Sequence, residues 1–373
     1  MPSSESRSLL DVVAPLIECF DLPGRALSAE PLAGGHIHDS VVVTLAPSAG
    51  AARRVLLQRI NTRVFPHVPT LMDNVARVAR HLASNQPAPA APADRRASLR
   101  YIPTRTGGLA LETADHGVWR LMQYIEPHAT FVVAPSDDVA ERAAFAFGDF
   151  QRRLLDLPAP PLHEIIPHFH DTPRRFESLE AAVSNDSAGR AGAAAAEIAL
   201  ARSLASHASA LLDLRRAGAL GERVVHNDAK LSNVLFDPRT GAPLCVIDLD
   251  TVMPGLGLYD FGDLARSMGT HAAEDERDLA RVEIDPDRFA ALARGYLRGI
   301  GDRLADVERD HLVAAAVVIT LEQGVRFLTD HLCGDAYYRV ARAGHNFDRA
   351  RTQLKLVGSL LRQQRVLRAG VSS

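Results

Sequence analysis

Cysteine is scarce in this 373-residue chain: Cys19, Cys245 and Cys333 are odd in number, far apart and in no metal-ligand spacing. That excludes a disulfide framework and a zinc cluster as organising devices, and the three read as buried, reduced thiols of a cytoplasmic protein. No charge sign prevails, since 42 basic residues face 45 acidic ones for a net charge of −3. A global electrostatic footprint for nucleic acid is therefore missing. The longest uncharged apolar run, residues 312–321, is too short to cross a bilayer, and the opening MPSSESRSLLDVV lacks the apolar core of a signal peptide. No membrane partner is expected, and the chain reads as a monomer or homodimer.

What is plentiful is apolar content, 47% of the residues, enough at this length for two lobes with cores of their own. The chemistry is concentrated in residues 224–263, VVHNDAKLSNVLFDPRTGAPLCVIDLDTVMPGLGLYDFGD. Val224 and Val225 run into a loop bearing His226, Asn227, Asp228 and Lys230, and Asn233 follows Asp228 by five positions. That spacing matches a kinase catalytic loop, where the aspartate orients the acceptor hydroxyl and the asparagine holds magnesium. The runs VLF and LCVID, separated by the turn signal Asp237-Pro238-Arg239-Thr240-Gly241, predict a hairpin that brings Asp248 beside Asp228 and Asn233. Such a set suits metal ions bridging nucleotide phosphates, because phosphoryl transfer is catalysed mainly by positioning and charge neutralisation. Asn233 and Asp248 are the expected metal ligands. The literal Asp260-Phe261-Gly262 lies too far downstream for that role, and Asp260 is expected to accept hydrogen bonds from catalytic-loop backbone at the start of a helix over 261–268.

Upstream, a short helix over 8–20 precedes strands near 30–32, 40–45 and 53–60, with Ala33-Gly34-Gly35-His36 between the first two. Strand, glycine loop, strand, strand is how a kinase N-lobe begins, the glycines letting backbone amides approach phosphates. The same Gly34-Gly35 pair also serves as an ordinary turn, and His36 reads either as a residue reaching the cleft or as a solvated loop histidine. The third strand, VLLQRIN, has no lysine for the α- and β-phosphates. Arg59 carries the only full positive charge on the strand; period-two alternation puts Arg59 and Gln58 on opposite faces, either of which can be the cleft side, and Arg59 is the expected phosphate contact. A helix over 68–82 offers only Asp73 as an acidic partner, more simply a solvated carboxylate. After a Pro/Ala-rich loop at 85–97, strands over 99–103 and 118–125 lead to Gln123, Tyr124 and Ile125. Backbone groups of these three are expected to bind the adenine edge, with Met122 packed against it.

From Ser136 onward the chain reads as helical outside the hairpin, with helices over 137–155, 191–216, 286–299, 304–330 and 346–368. His168 and His170 lack a third ligand and read as structural. Glu322, Arg326 and Asp330 stack along one helix face, either as a solvated ion-pair ladder or as a row that binds the acceptor hydroxyl.

HNDAKLSNVLFD, VIDLDTVMPG and YDFGD together resemble the choline-kinase and aminoglycoside-phosphotransferase superfamily. GGHIHDS, LLQRIN, WRLMQYIE, HFHDT and LEQGVRFLTDHLCGDAYY resemble its N-acetylhexosamine 1-kinases, in order, across residues 30–360. The resemblance implies an α+β, bilobal, protein-kinase-like fold, with a small antiparallel-sheet N-lobe over 1–125 and a larger helical C-lobe over 126–373. It implies Asp228 as catalytic base assisted by Lys230, Asn233 and Asp248 as Mg2+ ligands, and Gly34-Gly35 as phosphate loop. It further implies ATP as donor and the anomeric hydroxyl of GlcNAc or GalNAc as acceptor. Kinases of amino alcohols, choline or aminoglycosides, and a silent nucleotide-binding protein, are the other readings. From Thr320 to the end, nine Arg/Lys against four Asp/Glu speak against a polycationic acceptor, and a single tryptophan in the predicted N-lobe speaks against a choline cage.

Overall fold

The computed structural model describes residues 4–32, 37–46, 52–84, 97–114 and 117–372. The chain divides into two compact units, Met1–His128 and Ala129–Ser373.

The first unit comprises α1 (Ser4–Glu18), β1 (Ala26–Pro31), β2 (Asp39–Leu45), β3 (Arg53–Arg59), α2 (Val68–Ser84), β4 (Tyr101–Ile102), β5 (Leu111–Thr113) and β6 (Gly117–Gln123). Its antiparallel sheet has the order β1-β2-β3-β6-β4, with β5 also on β6. The β-branched run Val41-Val42-Val43 supplies the strand propensity, and alternation decides the faces. Val41, Val43, Val55, Leu57, Trp119 and Leu121 meet Val13, Leu16 and Ile17 of α1 in one core, each large side chain contributing roughly 1.5–3 kcal/mol. Leu56 and Gln58 alternate with these residues and lie on the other face of the sheet.

The second unit runs through α3 (Asp137–Arg153), α4 (Thr172–Asn185), α5 (Ala195–Leu204), α6 (Ala210–Arg216), β7 (Glu222–Val225), β8 (Val234–Phe236), β9 (Pro243–Val246) and β10 (Met253–Leu256). It continues with α7 (Leu258–Met268), α8 (Pro286–Ile300), α9 (Asp306–Asp310), α10 (Leu312–Leu332) and α11 (His345–Ser372). β8 and β9 form the expected hairpin, Val234 opposite Val246, while β10 pairs with β7. The turn closes because Asp237 Oδ1 accepts the Arg239 and Thr240 amides at 2.8 and 3.1 Å and Gly241 supplies a φ of 66°.

Helices α3 and α8 pack almost backbone to backbone. A Cβ on Gly295 would stand 2.0 Å from the Glu141 carbonyl oxygen, and one on Gly148 2.4 Å from that of Tyr296. Two expected helices are each broken. The 191–216 stretch splits into α5 and α6 around Ala205–Ser209, where serines and a histidine have low helix propensity. The 304–330 stretch splits at His311, whose Nδ1 turns back to the Val307 carbonyl at 2.6 Å. Among the described residues α10 alone has the length and apolarity of a bilayer span, yet 78% of that window is buried inside the unit, as in a core helix. None of the three cysteines forms a disulfide, but Cys19 and Cys333 are exposed and only Cys245 is buried, which corrects the expectation of three buried thiols.

Candidate active site

Strand β7 delivers the chain to His226, which has no exposed surface. Its Nε2 lies 3.0 Å from the Ile247 carbonyl, and the edges of Phe147 and Phe150 pack about it at 5.2 and 5.5 Å. The chain then bends at Asn227 through a left-handed φ of 65°, a conformation asparagine tolerates better than most residues. Asn227 Nδ2 donates to the Thr251 carbonyl at 2.9 Å, and Thr251 Oγ1 donates to the His226 carbonyl at 2.8 Å. From below, Asp260 in the first turn of α7 accepts the backbone N–H groups of His226 and Asn227 at 2.9 and 2.8 Å. Gln151 Nε2 donates to the same carboxylate at 2.6 Å. Asp260 is completely buried, and burial pushes its pKa up against those donors. It is a clamp for the loop.

So fixed, the loop presents Asp228. Lys230 Nζ donates to Asp228 Oδ2 at 2.7 Å, and Asn233 Nδ2 donates to the same oxygen at 3.0 Å and to the Asp228 carbonyl at 2.9 Å. Both donors converge on Oδ2, so Oδ1 is the oxygen left to accept a hydroxyl. Burial alone would raise the Asp228 pKa, but the charge and hydrogen bond of Lys230, then His226 and Asn233, lower it to about 2. The carboxylate is ionised at any working pH. Lys230 is one of only two lysines in a chain that otherwise uses arginine, so a compact ammonium here is not a default surface choice.

Asp248 lies just past the hairpin, at a left-handed φ of 64°. The N–H of Ile247 bonds the Asn233 carbonyl at 2.9 Å, which ties the two expected ligands together. Desolvation by the surrounding protein, then the negative charges of Asp250 and Asp228, push the Asp248 pKa up against the pull of Lys230. A cation relieves that crowding. Because the Asn233 amide nitrogen is held by Asp228, its Oδ1 points elsewhere and can ligate, so Asn233 and Asp248 together offer hard oxygen donors. Among the described residues no group of three or more His, Cys, Asp or Glu could hold a metal. The pair therefore suits Mg2+ that arrives with phosphates and keeps its waters, not a self-sufficient metal cage.

The α10 row is neither a solvated ladder nor an open binding row. Glu322 is buried, with Oε1 at 2.8 Å from His170 Nδ1 and Oε2 accepting from Thr172 Oγ1 at 2.7 Å. Arg326 lies over the rings of Phe169, Tyr337 and Tyr338, with centroid distances of 5.1, 6.0 and 5.6 Å. Asp330 corrects the expectation of an acceptor contact. Its two oxygens accept the amides of Ala336, Tyr337 and Tyr338 and the Asn346 side chain at 2.8–3.0 Å, so it pins the loop after α10.

In the first unit Arg59 departs from its expected place. It shares the face of Val55 and Leu57 and is about half exposed, 3.9 Å from Asp39. The opposite face carries Gln58, opposite Ser40 and Arg120 in the ladder. Gln58 Nε2 donates to Ser40 Oγ at 3.0 Å, and its Oε1 accepts from Arg120 Nε at 2.9 Å. Arg120 is only 2% exposed. It was missed by the sequence reading, although a charge inside the apolar run Trp119-Arg120-Leu121-Met122 is a signal. At the end of β6, Gln123 N donates to the Arg100 carbonyl at 2.9 Å. The Ile125 carbonyl faces His128 Nδ1 at 2.5 Å, and Tyr124 lies under Arg54 at 4.8 Å. Gly34, Gly35 and His36 lie outside the described residues.

Residues 28–307 match the phosphotransferase enzyme family (APH), and the chain belongs to that family. Its fold is similar to that of a microcompartment-associated aminopropanol kinase, with 15% identity, a TM-score of 0.62, and 97% of this chain and 98% of that one covered. A spectinomycin phosphotransferase in complex with ADP and spectinomycin shares 11% identity at a TM-score of 0.59, over 97% and 99% of the two chains. Choline kinase LicA from Streptococcus pneumoniae shares 12% at 0.54, over 96% and 100%. Identities this low establish the kinase-like fold alone.

Proposed function

We propose that this phosphotransferase moves the γ-phosphoryl group of ATP, with Mg2+, to the anomeric hydroxyl of an N-acetylhexosamine, GlcNAc or GalNAc. Asp228 Oδ1 orients the hydroxyl and takes its proton as the O–P bond forms. Its low basicity suits a loose transition state in which the proton leaves late. Lys230 holds Oδ2 and supplies positive charge beside the reacting groups. Mg2+ at Asn233 and Asp248 would neutralise charge on the phosphates. Nucleotide as donor is also in keeping with the ADP complex of the spectinomycin enzyme.

The observation that carries the choice of a neutral acceptor is Arg326. Phe169, Tyr337 and Tyr338 are the ring cluster that a quaternary ammonium would seek, and the protein's own guanidinium already covers it. A second cation there would meet an occupied and repelling site. The basic balance of the chain after Thr320 points the same way.

The test is a coupled assay with ATP and Mg2+ over GlcNAc, GalNAc, their methyl glycosides, choline, an amino alcohol and kanamycin. A methylated C1 oxygen offers no nucleophile, and other ring hydroxyls lie beyond the near-attack distance of about 3–3.5 Å. The free sugars should turn over and the methyl glycosides should only inhibit competitively. Comparable turnover of a methyl glycoside, or a preference for kanamycin, choline or the amino alcohol, would overturn the proposal.

A further inference from the structure

Beside the catalytic loop the second unit holds a pocket of about 530 Å³, counting its open mouth, whose wall includes His170, Asn227 and Tyr259. Asn227 directly precedes Asp228. The His170 side chain is 94% buried, from a relative exposure of 6%, and its ring lies 4.6 Å from that of Tyr259. Glu322 holds Nδ1 from behind at 2.8 Å. Burial opposes ionisation of Glu322, but His170, then Arg326 and Thr172, keep its pKa low. The carboxylate thus fixes the ring through Nδ1 and leaves Nε2 as the nitrogen that meets no protein group. That Nε2 is buried and has no hydrogen-bond partner among the described residues. Left unmet, such an atom is a standing cost to the fold, so a prearranged imidazole of this kind calls for a reason.

We infer that this pocket is a subsite for the phosphoryl acceptor, in which His170 Nε2 forms a hydrogen bond with a hydroxyl of a neutral sugar ring. The inference rests on the function proposed above and identifies where that acceptor is gripped. The Asn227 amide and the Tyr259 phenol on the pocket wall are neutral, burial pushing the phenol's pKa up. The carboxylates around the pocket are already engaged. Glu222 pairs with Arg215 at 2.6 Å, Glu164 accepts the His168 amide at 3.0 Å and Asp171 accepts the Arg174 amide at 3.2 Å. A hydroxyl entering the pocket finds a ring nitrogen already held in place and without a hydrogen-bond partner among the described residues. Glu322 acts only through His170 and is a positioning residue.

The deciding variant is His170→Asn, because an asparagine amide nitrogen can occupy the place of Nδ1 and keep the bond to Glu322 while Nε2 is deleted. Calorimetric titration of the full-length protein with GlcNAc, GalNAc and 1-aminopropan-2-ol should show hexosamine affinity falling about tenfold or more. The KM for ATP should stay within twofold. Leu212→Trp, which fills the pocket wall without touching the Glu322 pair, should weaken the sugar likewise and covers the case in which His170→Asn does not fold. Unchanged hexosamine affinity in the folded variants overturns the inference and leaves the proposed function standing. Wild-type protein that binds neither hexosamine, with or without binding the amino alcohol, overturns both.

Discussion

At Asp228 two donors hold one carboxylate oxygen and leave the other for substrate, so shape and charge are separable by mutation. Asp228→Asn keeps the shape but can neither orient nor accept the proton, and should lower kcat by ~10²–10⁴-fold with the KM for ATP little changed. Steady-state kinetics within threefold of wild type would remove Asp228 from the mechanism. The depressed pKa, about 2, also fixes the sign of a stability effect. A carboxylate whose folded-state pKa lies below its unfolded value contributes stability above about pH 4, and loses it as pH falls toward 2. Asp228→Asn lacks that contribution at every pH. The difference in melting temperature between the two proteins should therefore be largest near neutrality and shrink between pH 4 and pH 2, while a constant difference would mean that the Lys230 pairing contributes nothing to the fold.

Among the elements, the α3–α8 crossing sets how closely Gln151 and Tyr296 approach the base of the catalytic loop. Tyr296 Oη donates to Gln151 Oε1 at 3.0 Å, and Gln151 in turn supports Asp260. The crossing is close because Gly295 leaves room for the Glu141 carbonyl. Gly295→Ala would improve intrinsic helix propensity by up to about 1 kcal/mol, yet its Cβ meets backbone that cannot give way. Overpacking of that kind costs roughly 1–3 kcal/mol or more, so a net fall in melting temperature of several degrees is expected. Gly358→Ala, whose Cβ would meet only the Arg362 side chain at 3.4 Å, is the matched control and should be neutral or mildly stabilising. A Gly295→Ala protein as stable as that control would mean that the helices can separate without cost.

Over the whole molecule, what the sequence made legible was local. The loop over 226–233, the hairpin and the hydrogen bonds of Asp260 to the loop backbone could be read because turn residues and short spacings determine them within a few tens of positions. The faces of α10 and β3 could not. Glu322 finds His170 across 152 positions, and which side of β3 is covered by α1 depends on packing that no spacing along β3 encodes. For that reason Arg59 and Asp330 stand elsewhere than expected, and the contribution of His170 emerged only from its surroundings. The same contrast between local and global separates two aspartates by experiment. Asp260 accepts from three donors beneath the loop, and its loss leaves buried N–H groups unmet at about 1–3 kcal/mol each, so Asp260→Ala should lower the melting temperature of the whole protein. Asp248 is crowded by the like charges of Asp250 and Asp228, so Asp248→Ala should leave the melting temperature near or above that of wild type. It should instead abolish the added stabilisation on titration with Mg2+ and ATP. Thermal shift with and without Mg-ATP reads both effects in one plate. If Asp260→Ala loses the Mg-ATP response at an unchanged melting temperature while Asp248→Ala retains it, the metal belongs to the literal DFG and the assignment of the hairpin aspartate is wrong.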